Sequence, residues 1–511
     1  MNIIGIDLGT TYCAVSKINA IGKPEIIAFS DGARLIPSVM FFDKKNKILV
    51  GEAARRSANR GIEKYVSLVK RYMGEEYYPQ EILGKKQTPA YLTSVLLRHI
   101  KDDFESRYGS IDRAVVTVPA YFDEKRRSAT LEAAKMAGLN VQGLLNEPTA
   151  AGLYYSTQYK ELNGKVLIFD LGGGTFDVTI LDVVNDGTNT TIDVVSSNGD
   201  HELGGKDFDY LILEELAKEY KNKKGVDLYH SKEEELDFLE TYAENKFKKP
   251  LATEEEIIDN RVVGEEGSIR FNFSRNDFEN LISNHIQKVE MLVEGLLYEN
   301  EFEPSDIDHV LLVGGSSRIT YFQDYLRQLF NQEPKILGNV DEAVALGASI
   351  ECLRRATDGG RIDTIDGIRL PQEIILEVST QKVQDVCNHS YGTIANAIDE
   401  LSKTYVRTNS IIIPKNTAIP CTIEKTFYLV VDNQKSVDIS VTQGESKDPD
   451  EVNIIFNGQM ELDSSTTKQG DEIIVEYSYD INQRMSCVFT HKKTGRQHPI
   501  FLDKVEWFCG L

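Results

Sequence analysis

Hydrophobic and polar positions change their rhythm along the chain. Over about the first 350 residues, short apolar runs alternate with stretches of helical spacing. NIIGIDLG (2–9) and YCAVSKI (12–18) read as strands split by a Gly-Thr-Thr turn. PAYLTSVLLRHIKDDFESRYG (89–109) has apolar residues three and four apart, which predicts a helix, and RAVVTVPAYF (113–122) reads as a buried strand. EKRRSATLEAAKMAGL (124–139) predicts a helix closed by Gly138. VLIFDLGG (166–173) and FDVTIL (176–181) repeat the strand–turn–strand pattern, and DHVLLVGGSSRI (308–319) is a strand ending in Gly-Gly. Helices follow at 320–330 and 341–356. This is α/β material.

The rhythm breaks near Ala356. TDGGRIDTIDGIRLPQ (357–372) is rich in Gly and Asp and reads as a linker. Beyond about residue 385, runs such as TFYLVV (426–431), SVDISVTQ (436–443), VNIIFNGQMEL (452–462), DEIIVEYSYDI (471–481) and MSCVFTHKKTG (485–495) are strand-like. NGQ (457–459) and KKTG (492–495) read as hairpin turns. In TIANAIDELSKTYV (393–406), Ile394, Ile398, Leu401 and Tyr405 fall at helical spacing, so that segment is a short helix or an enlarged loop. The pattern predicts an α/β domain over 1–356, a linker over 357–384 and a β-sandwich over 385–511.

The chain of 511 residues carries a net charge of -23 from 57 basic and 80 acidic side chains, a balance that argues against broad binding to nucleic acid or an anionic membrane. No apolar run reaches the roughly 20 residues of a membrane span, and the N-terminus reads as a strand, not a signal peptide. The cysteines Cys13, Cys352, Cys387, Cys421, Cys487 and Cys509 form no Cys-x-x-Cys pair, so buried thiols in a reducing cytosol are expected. Cys13, inside a glycine turn, is the thiol expected to oxidise first.

GIDLGTTYCAVS (5–16) and FDLGGGTFDVTI (169–180) echo each other, which predicts two related halves that each offer a loop to one cleft. Glycine turns with free N–H groups let phosphate approach. No Gly-Lys-Ser/Thr follows them, and Asp177 takes the place of the third glycine of a dinucleotide fingerprint. An aspartate facing pyrophosphate needs a cation between them, so the simplest ligand is phosphate with Mg²⁺. Asp7, Asp170 and Asp177 then serve the metal side. Thr10, Thr11, Tyr12, Thr175 and the glycine amides serve the phosphate side. LVGGSSRI (312–319) offers a third glycine turn at a strand end.

Taken together, these motifs resemble the 70-kDa heat-shock protein family of DnaK-type chaperones. IGIDLGTTYCAV (4–15), VKRYMG (69–74), LLNEPTAAGLYY (144–155), IFDLGGGTFDVTIL (168–181), NGDHELGGKDFD (198–209), HVLLVGGSSRI (309–319) and DEAVALGA (341–348) follow in the family's order. The resemblance implies an actin-like two-lobed ATPase domain and a β-sandwich peptide-binding domain. It implies catalytic roles for Lys70, Glu147, Asp170 and Thr175. It implies ATP/ADP contacts at Asp7, Gly9, Thr10, Thr11, Tyr12, Gly172, Gly173, Gly174, Asp177, Gly204, Gly205, Gly314, Gly315, Ser316, Arg318 and Asp341. Mg²⁺ is expected at Asp7, Asp170 and Glu147, mainly through water, and a switch at Pro119 and Arg127.

The family's adenine-side helix reads roughly Glu-x-x-Lys-x-x-Leu-Ser. Here AENKFKKPLA (243–252) supplies Lys248 and Lys249, in a register open by one position, and Pro250 is expected to end the helix early. IIIPKNTAIPCTIEKTFYLVVDNQKSVDISVTQGE (411–445) is similar to the peptide-binding domain and implies a groove at Phe427, Val437 and Ile439 with Val430 over the peptide. VQDVCNHSYGT (383–393) looks like a specialised, HscC-like branch, and the β-domain is expected to stand without the family's helical lid. The implied function is an ATP-dependent, cytoplasmic chaperone that binds extended apolar polypeptide and works with J-domain and nucleotide-exchange partners. The alternative is a nucleotide-sensing module dedicated to one protein partner. A small-molecule kinase of the same superfamily fits the β-rich tail poorly.

Overall fold

A computed structural model describes the chain except residues 44–46, 187–188, 358–363, 366–367, 372–373, 375–379, 399–403, 481–483 and 503–511. Its contacts divide it into two compact units: Met1–Tyr121 with Ala129–Val383, and Phe122–Ser128 with Gln384–Leu511.

The first unit is built on two similar halves. In one, β1 (Asn2–Asp7) and β2 (Tyr12–Ile18) form a hairpin, and β3 (Ile111–Val118), reached through helix α1 (Pro89–Tyr108), joins β1 in parallel. β4 (Val141–Asn146) extends the sheet beside β3 and leads straight into helix α2 (Glu147–Gln158). In the other half, β5 (Gly164–Leu171) and β6 (Phe176–Asn185) form the second hairpin, with β7 (Thr190–Asp200) beyond β6. Helix α3 (Gly205–Lys224) follows, and β8 (His309–Val313) joins β5 in parallel. The echo between residues 5–16 and 169–180 is therefore structural: each is a hairpin whose first strand takes a parallel third strand. Parallel strands buried on both faces read as continuous apolar runs, which is why 166–169 and 310–313 lack alternation.

Helix α4 (Ala343–Thr357) returns to the first half. It packs so closely that a methyl group on Gly347 would lie 1.8 Å from the Ala150 carbonyl oxygen of α2. The second half encloses an aromatic core in which Phe169 and Phe176 of the hairpin meet at 4.9 Å, with Phe208 of α3 and Phe322 packed beside them. That core fixes the glycine loop at the end of the hairpin.

The second unit is a sandwich of two antiparallel sheets. The strands in chain order are β9 (Tyr391–Ile398), β10 (Tyr405–Ile413), β11 (Cys421–Tyr428), β12 (Ser436–Gln443), β13 (Asn453–Glu461), β14 (Glu472–Tyr479), β15 (Met485–His491) and β16 (Arg496–Phe501). One sheet runs β10-β9-β12-β13 and the other β11-β14-β15-β16. Tyr391, Ile439, Val441, Val475, Tyr477 and Phe489 fill the space between them.

Two sequence expectations change here. Ile394 and Ile398 lie in strand β9, not in a helix, because residues 391–398 pair continuously with β10; Leu401 falls outside the described residues. NGQ (457–459) is not a turn but the middle of β13, with Asn457 opposite Ser440 and Gly458 opposite Ile439. A methyl group on Gly458 would come within 3.0 Å of the Phe456 ring, so the glycine gives that ring room inside a strand. KKTG does form the turn between β15 and β16.

Candidate functional site

The loops that end the two hairpins face each other. A methyl group on Gly173 would lie 2.4 Å from Thr11 Oγ1, and one on Gly174 would lie 2.4 Å from Thr10 Cγ2. Only bare glycine backbone allows that approach. The Gly204–Gly205 turn closes on the same place: Gly205 N–H donates to the Gly172 carbonyl at 3.0 Å and Lys206 N–H to the Gly173 carbonyl at 2.8 Å. Gly314, at φ +77°, brings the turn after β8 against Asp170 and Leu171. Gly315 and Ser316 follow it, and Arg318 pairs with Asp341 at 2.9 Å. The Gly9 carbonyl accepts from Ser38 Oγ at 2.7 Å. Thr10 is buried with no hydrogen-bond partner for its hydroxyl among the described residues. Thr175 is also buried.

Beneath the loops lies a cluster of charge. Lys70 is buried, and its ammonium donates to Glu147 Oε1. Glu147 opens α2, where the helix dipole favours a carboxylate. Asp170 and Asp177 stand directly opposite each other across the β5–β6 pair, an arrangement that like charges disfavour. Asp7 accepts from Thr117 Oγ1 at 3.3 Å, and Asp177 accepts from the Ala120 N–H at 3.1 Å, next to Pro119. Burial, and then Glu147, push Asp7 up to about 7 and Asp177 up to about 8, against the pull of Lys70. Asp170 is raised well above the usual carboxylate range by burial and by Glu147, Asp177 and Asp7. Burial alone would lower Lys70, but Glu147 and Asp7 outweigh it and hold it charged. One ammonium among four carboxylates leaves the site short of positive charge. No three acidic, histidine or cysteine side chains converge to chelate a bare ion among the described residues. The donor set fits a hydrated Mg²⁺ held through its waters.

A π-helix, Leu239–Lys248, packs beside α3 next to the loops. Its wider turn brings residues five apart onto one face, which is where Lys249 meets Glu244. Lys248 turns inward, donating to the Gly205 carbonyl at 2.8 Å and pairing with Asp209 at 2.7 Å. Lys249 stays on the exposed side and pairs with Glu244 at 2.9 Å. Pro250, with no N–H to give back to the preceding turn, lies one residue before the helix ends at Leu251. Arg55, from the first half, binds Glu240 of the π-helix at 2.7 Å and the Tyr12 hydroxyl at 3.1 Å, so a latch crosses the cleft.

Sequence reasoning missed the framework residues. Arg71 grips Asp207 through two nitrogens, at 2.9 and 2.5 Å, and the Gly174 carbonyl at 3.0 Å. Arg55 and Glu240 carried no signal beyond charge, and Lys206, Asp209 and Glu244 lay inside matched motifs without a role of their own. One expectation is corrected: Cys13 is fully buried and its thiol is pushed up to about 12 by burial, so it is inert as a nucleophile. Arg127 is buried, with Nε donating to the Phe122 carbonyl at 2.9 Å.

The second unit holds a groove of about 890 Å³ lined by Phe427, Val430 and Val437 together with Arg407, Gln434 and Asp438, among others. Ile439 is not part of it. It is fully buried in the sandwich core.

Two halves with facing hairpin loops over a carboxylate cluster define an actin-like nucleotide-cleft ATPase fold, here in a chain that also carries a β-sandwich. The chain matches the family model described as Hsp70 protein over residues 3–83 and 78–506, and it belongs to that family. Hsp70 proteins are ATPases that act as ATP-dependent chaperones and bind polypeptide.

Proposed function

We propose that this chain hydrolyses ATP and uses the cycle to bind and release extended apolar polypeptide segments. The observation that carries the reading is the pair of facing loops, Thr10–Thr11 and Gly172–Thr175, above a buried lysine ringed by carboxylates. The loop amides and the Thr10, Thr11 and Thr175 hydroxyls cradle the phosphates. Mg²⁺, held through water by Asp7, Asp170 and Glu147, would neutralise phosphate charge during transfer. Lys70 and Glu147 orient the attacking water, and Asp170 accepts from it. Asp177 anchors the Ala120 N–H and so ties the chain at Pro119 to the phosphate loop; Pro119 and Arg127 are the candidate switch. Lys248, Lys249 and Glu244 form the nucleoside end, where an ionised carboxylate accepts from ribose hydroxyls. The chemistry is positioning and electrostatics, as phosphoryl transfer requires.

The groove supports the polypeptide half of the proposal. β9 and β12 pair only at Tyr391–Gln443 and Gly392–Thr442, then part, with Ser440 Oγ accepting the Ile394 N–H at 2.8 Å. The facing edges beyond offer backbone groups to an extended strand, and Phe427 and Val437 offer it apolar contact. A dedicated single partner is the narrower reading. It draws on the polar lining from Arg407, Asp438, Gln434 and Gln459. J-domain and nucleotide-exchange partners and a cytoplasmic location belong to the same proposal. No described helix is long and apolar enough to cross a membrane.

The test is ATP turnover in the wild type, Lys70→Ala and Thr175→Ala, with unchanged turnover in both variants overturning the assignment. A panel of fluorescent apolar peptides separates the two readings. Micromolar binding to many sequences, weakened by ATP, supports the general chaperone, and binding to none or one supports the module.

A further inference from the structure

A lysine at the start of a helix opposes the helix dipole. Lys206, the second residue of α3, stands in that place immediately after the Gly204–Gly205 turn. Its backbone N–H is spent on the phosphate loop, at the Gly173 carbonyl. Its ammonium reaches away from the loop, 2.6 Å from Glu244 Oε2 and 3.4 Å from Asp209 Oδ2. The charges then alternate in a chain: Lys248, Asp209, Lys206, Glu244, Lys249. Asp209 and Glu244 are buried, and only the outermost member, Lys249, is largely exposed. Among the described residues, Lys206 is the cation that touches both the Asp209 carboxylate of α3 and the Glu244 carboxylate of the π-helix. Lys206, Glu244, Thr10, Thr11 and Tyr12 line one cavity, and the buried Thr10 hydroxyl there has no partner among the described residues.

We propose that Lys206 is a positioning residue for nucleoside recognition, holding Glu244 and its π-turn where the carboxylate reads the ribose hydroxyls. The proposal rests on the nucleotide reading above and adds a residue to it. The geometry gives Lys206 one oxygen of Glu244 and Lys249 the other, so both are oriented while each keeps a lone pair for a hydroxyl donor. Burial would raise Glu244, but Lys206 and Lys248 outweigh it and keep it ionised, the form that accepts best. Beside the apolar packing of the two helices, the only other ion pair from the π-helix to α3 among the described residues is that of Lys248 with Asp209.

The experiment compares calorimetric dissociation constants for ATP, 2′-deoxy-ATP and inorganic tripolyphosphate, each with Mg²⁺, in the wild type, Lys206→Gln and Lys206→Arg. The wild type is expected to favour ATP over 2′-deoxy-ATP by about tenfold, the weight of one hydrogen bond to a charged acceptor. Lys206→Gln keeps a polar donor on a side chain one bond shorter but removes the charge; its preference should fall to about twofold or less while tripolyphosphate affinity stays unchanged. Lys206→Arg keeps the charge and should retain the preference. A Gln variant with the full preference overturns the proposal. So does equal loss in Gln and Arg, which would show packing and not charge. A parallel loss of tripolyphosphate affinity, whether from a role at the phosphate end or from a disturbed fold, overturns it as well. A wild type that binds ATP without ribose preference overturns this inference alone, whereas one that binds no ATP overturns the nucleotide reading itself.

Discussion

Replacing Lys70 by methionine tests the heart of the site through stability as well as activity. The lysine side chain is 5% exposed and its partner Glu147 9%. Breaking such a pair strands a buried carboxylate, at a cost of about 3–5 kcal/mol. The unit that holds it has about 380 residues. At about 2.1 cal/mol/K of unfolding entropy per residue, 1 kcal/mol there shifts Tm by roughly 1.3 °C. Lys70→Met should therefore lower the unfolding transition of this unit by about 4–6 °C at pH 8.5, in nucleotide-free protein with chelator. At pH 6, Asp7 and Asp177, raised to about 7 and about 8, are mostly protonated. Less negative charge is then left uncompensated, and the loss should shrink to about half. Differential scanning calorimetry at the two pH values measures both numbers. A shift below about 1 °C at pH 8.5, or a larger shift at pH 6 than at pH 8.5, refutes the picture of one buried cation offsetting a carboxylate cluster.

The same carboxylates set the pH dependence of the ligand-free wild type. Their folded pKa values lie above the unfolded value of 3.8, so their contribution is full below about pH 4 and is lost as pH rises through about 7 for Asp7 and about 8 for Asp177. Denaturant unfolding between pH 5 and pH 8.5 should show stability falling across that window, and Asp177→Asn should flatten the fall; a rise with pH contradicts the assignment. Gly174→Ala places a methyl group on Thr10 and should cut ATP affinity by at least about tenfold, readable by calorimetry, with near wild-type affinity counting against the facing loops. Arg55→Ala removes the contact with Glu240 across the cleft and should speed release of a fluorescent nucleotide several-fold in stopped flow, while an unchanged rate shows that the latch does not hold the cleft. In the β-domain, Val437→Asp should weaken binding of an apolar peptide by about tenfold or more in fluorescence anisotropy, whereas Ile439→Val, a core change, should cost about 1 kcal/mol of stability and leave peptide affinity within about twofold.

Local chemistry made much of the molecule legible. The two hairpins, their glycine loops, the helix opened by Glu147 and the β-rich tail all follow from patterns within about 20 residues. Glycine, aspartate and threonine in order also raise the expectation of phosphate and metal before any fold is known. The failures share a cause. Ile394 and Ile398 satisfied a helical spacing, yet β10 supplied a partner strand and the backbone hydrogen bonds went there. NGQ has turn composition, but it lies opposite Ser440 and Ile439, and pairing overrode it. Val437 and Ile439 share a strand face, and only the partner sheet decides which of them meets the groove.

Pattern and motif put forward the candidates for the chemistry: the facing loops' glycines and threonines, the aspartates beside them, the apolar residues of the β-domain and, through the family resemblance, Lys70 and Glu147. Tertiary structure alone decided how charge is distributed among them. Lys70 is an ordinary lysine until Glu147, Asp7 and Asp177 arrive from three other segments to enclose it. Lys248 faces inward only because Asp209 and the Gly205 carbonyl of another segment receive it, while Lys249 stays exposed beside Glu244. Lys206 acquires a partner only when α3 and the π-helix come together. The physical reason is range. Propensity and alternation act between neighbours in sequence, whereas desolvation and Coulomb attraction depend on what burial brings within a few ångströms, however far apart it lies along the chain.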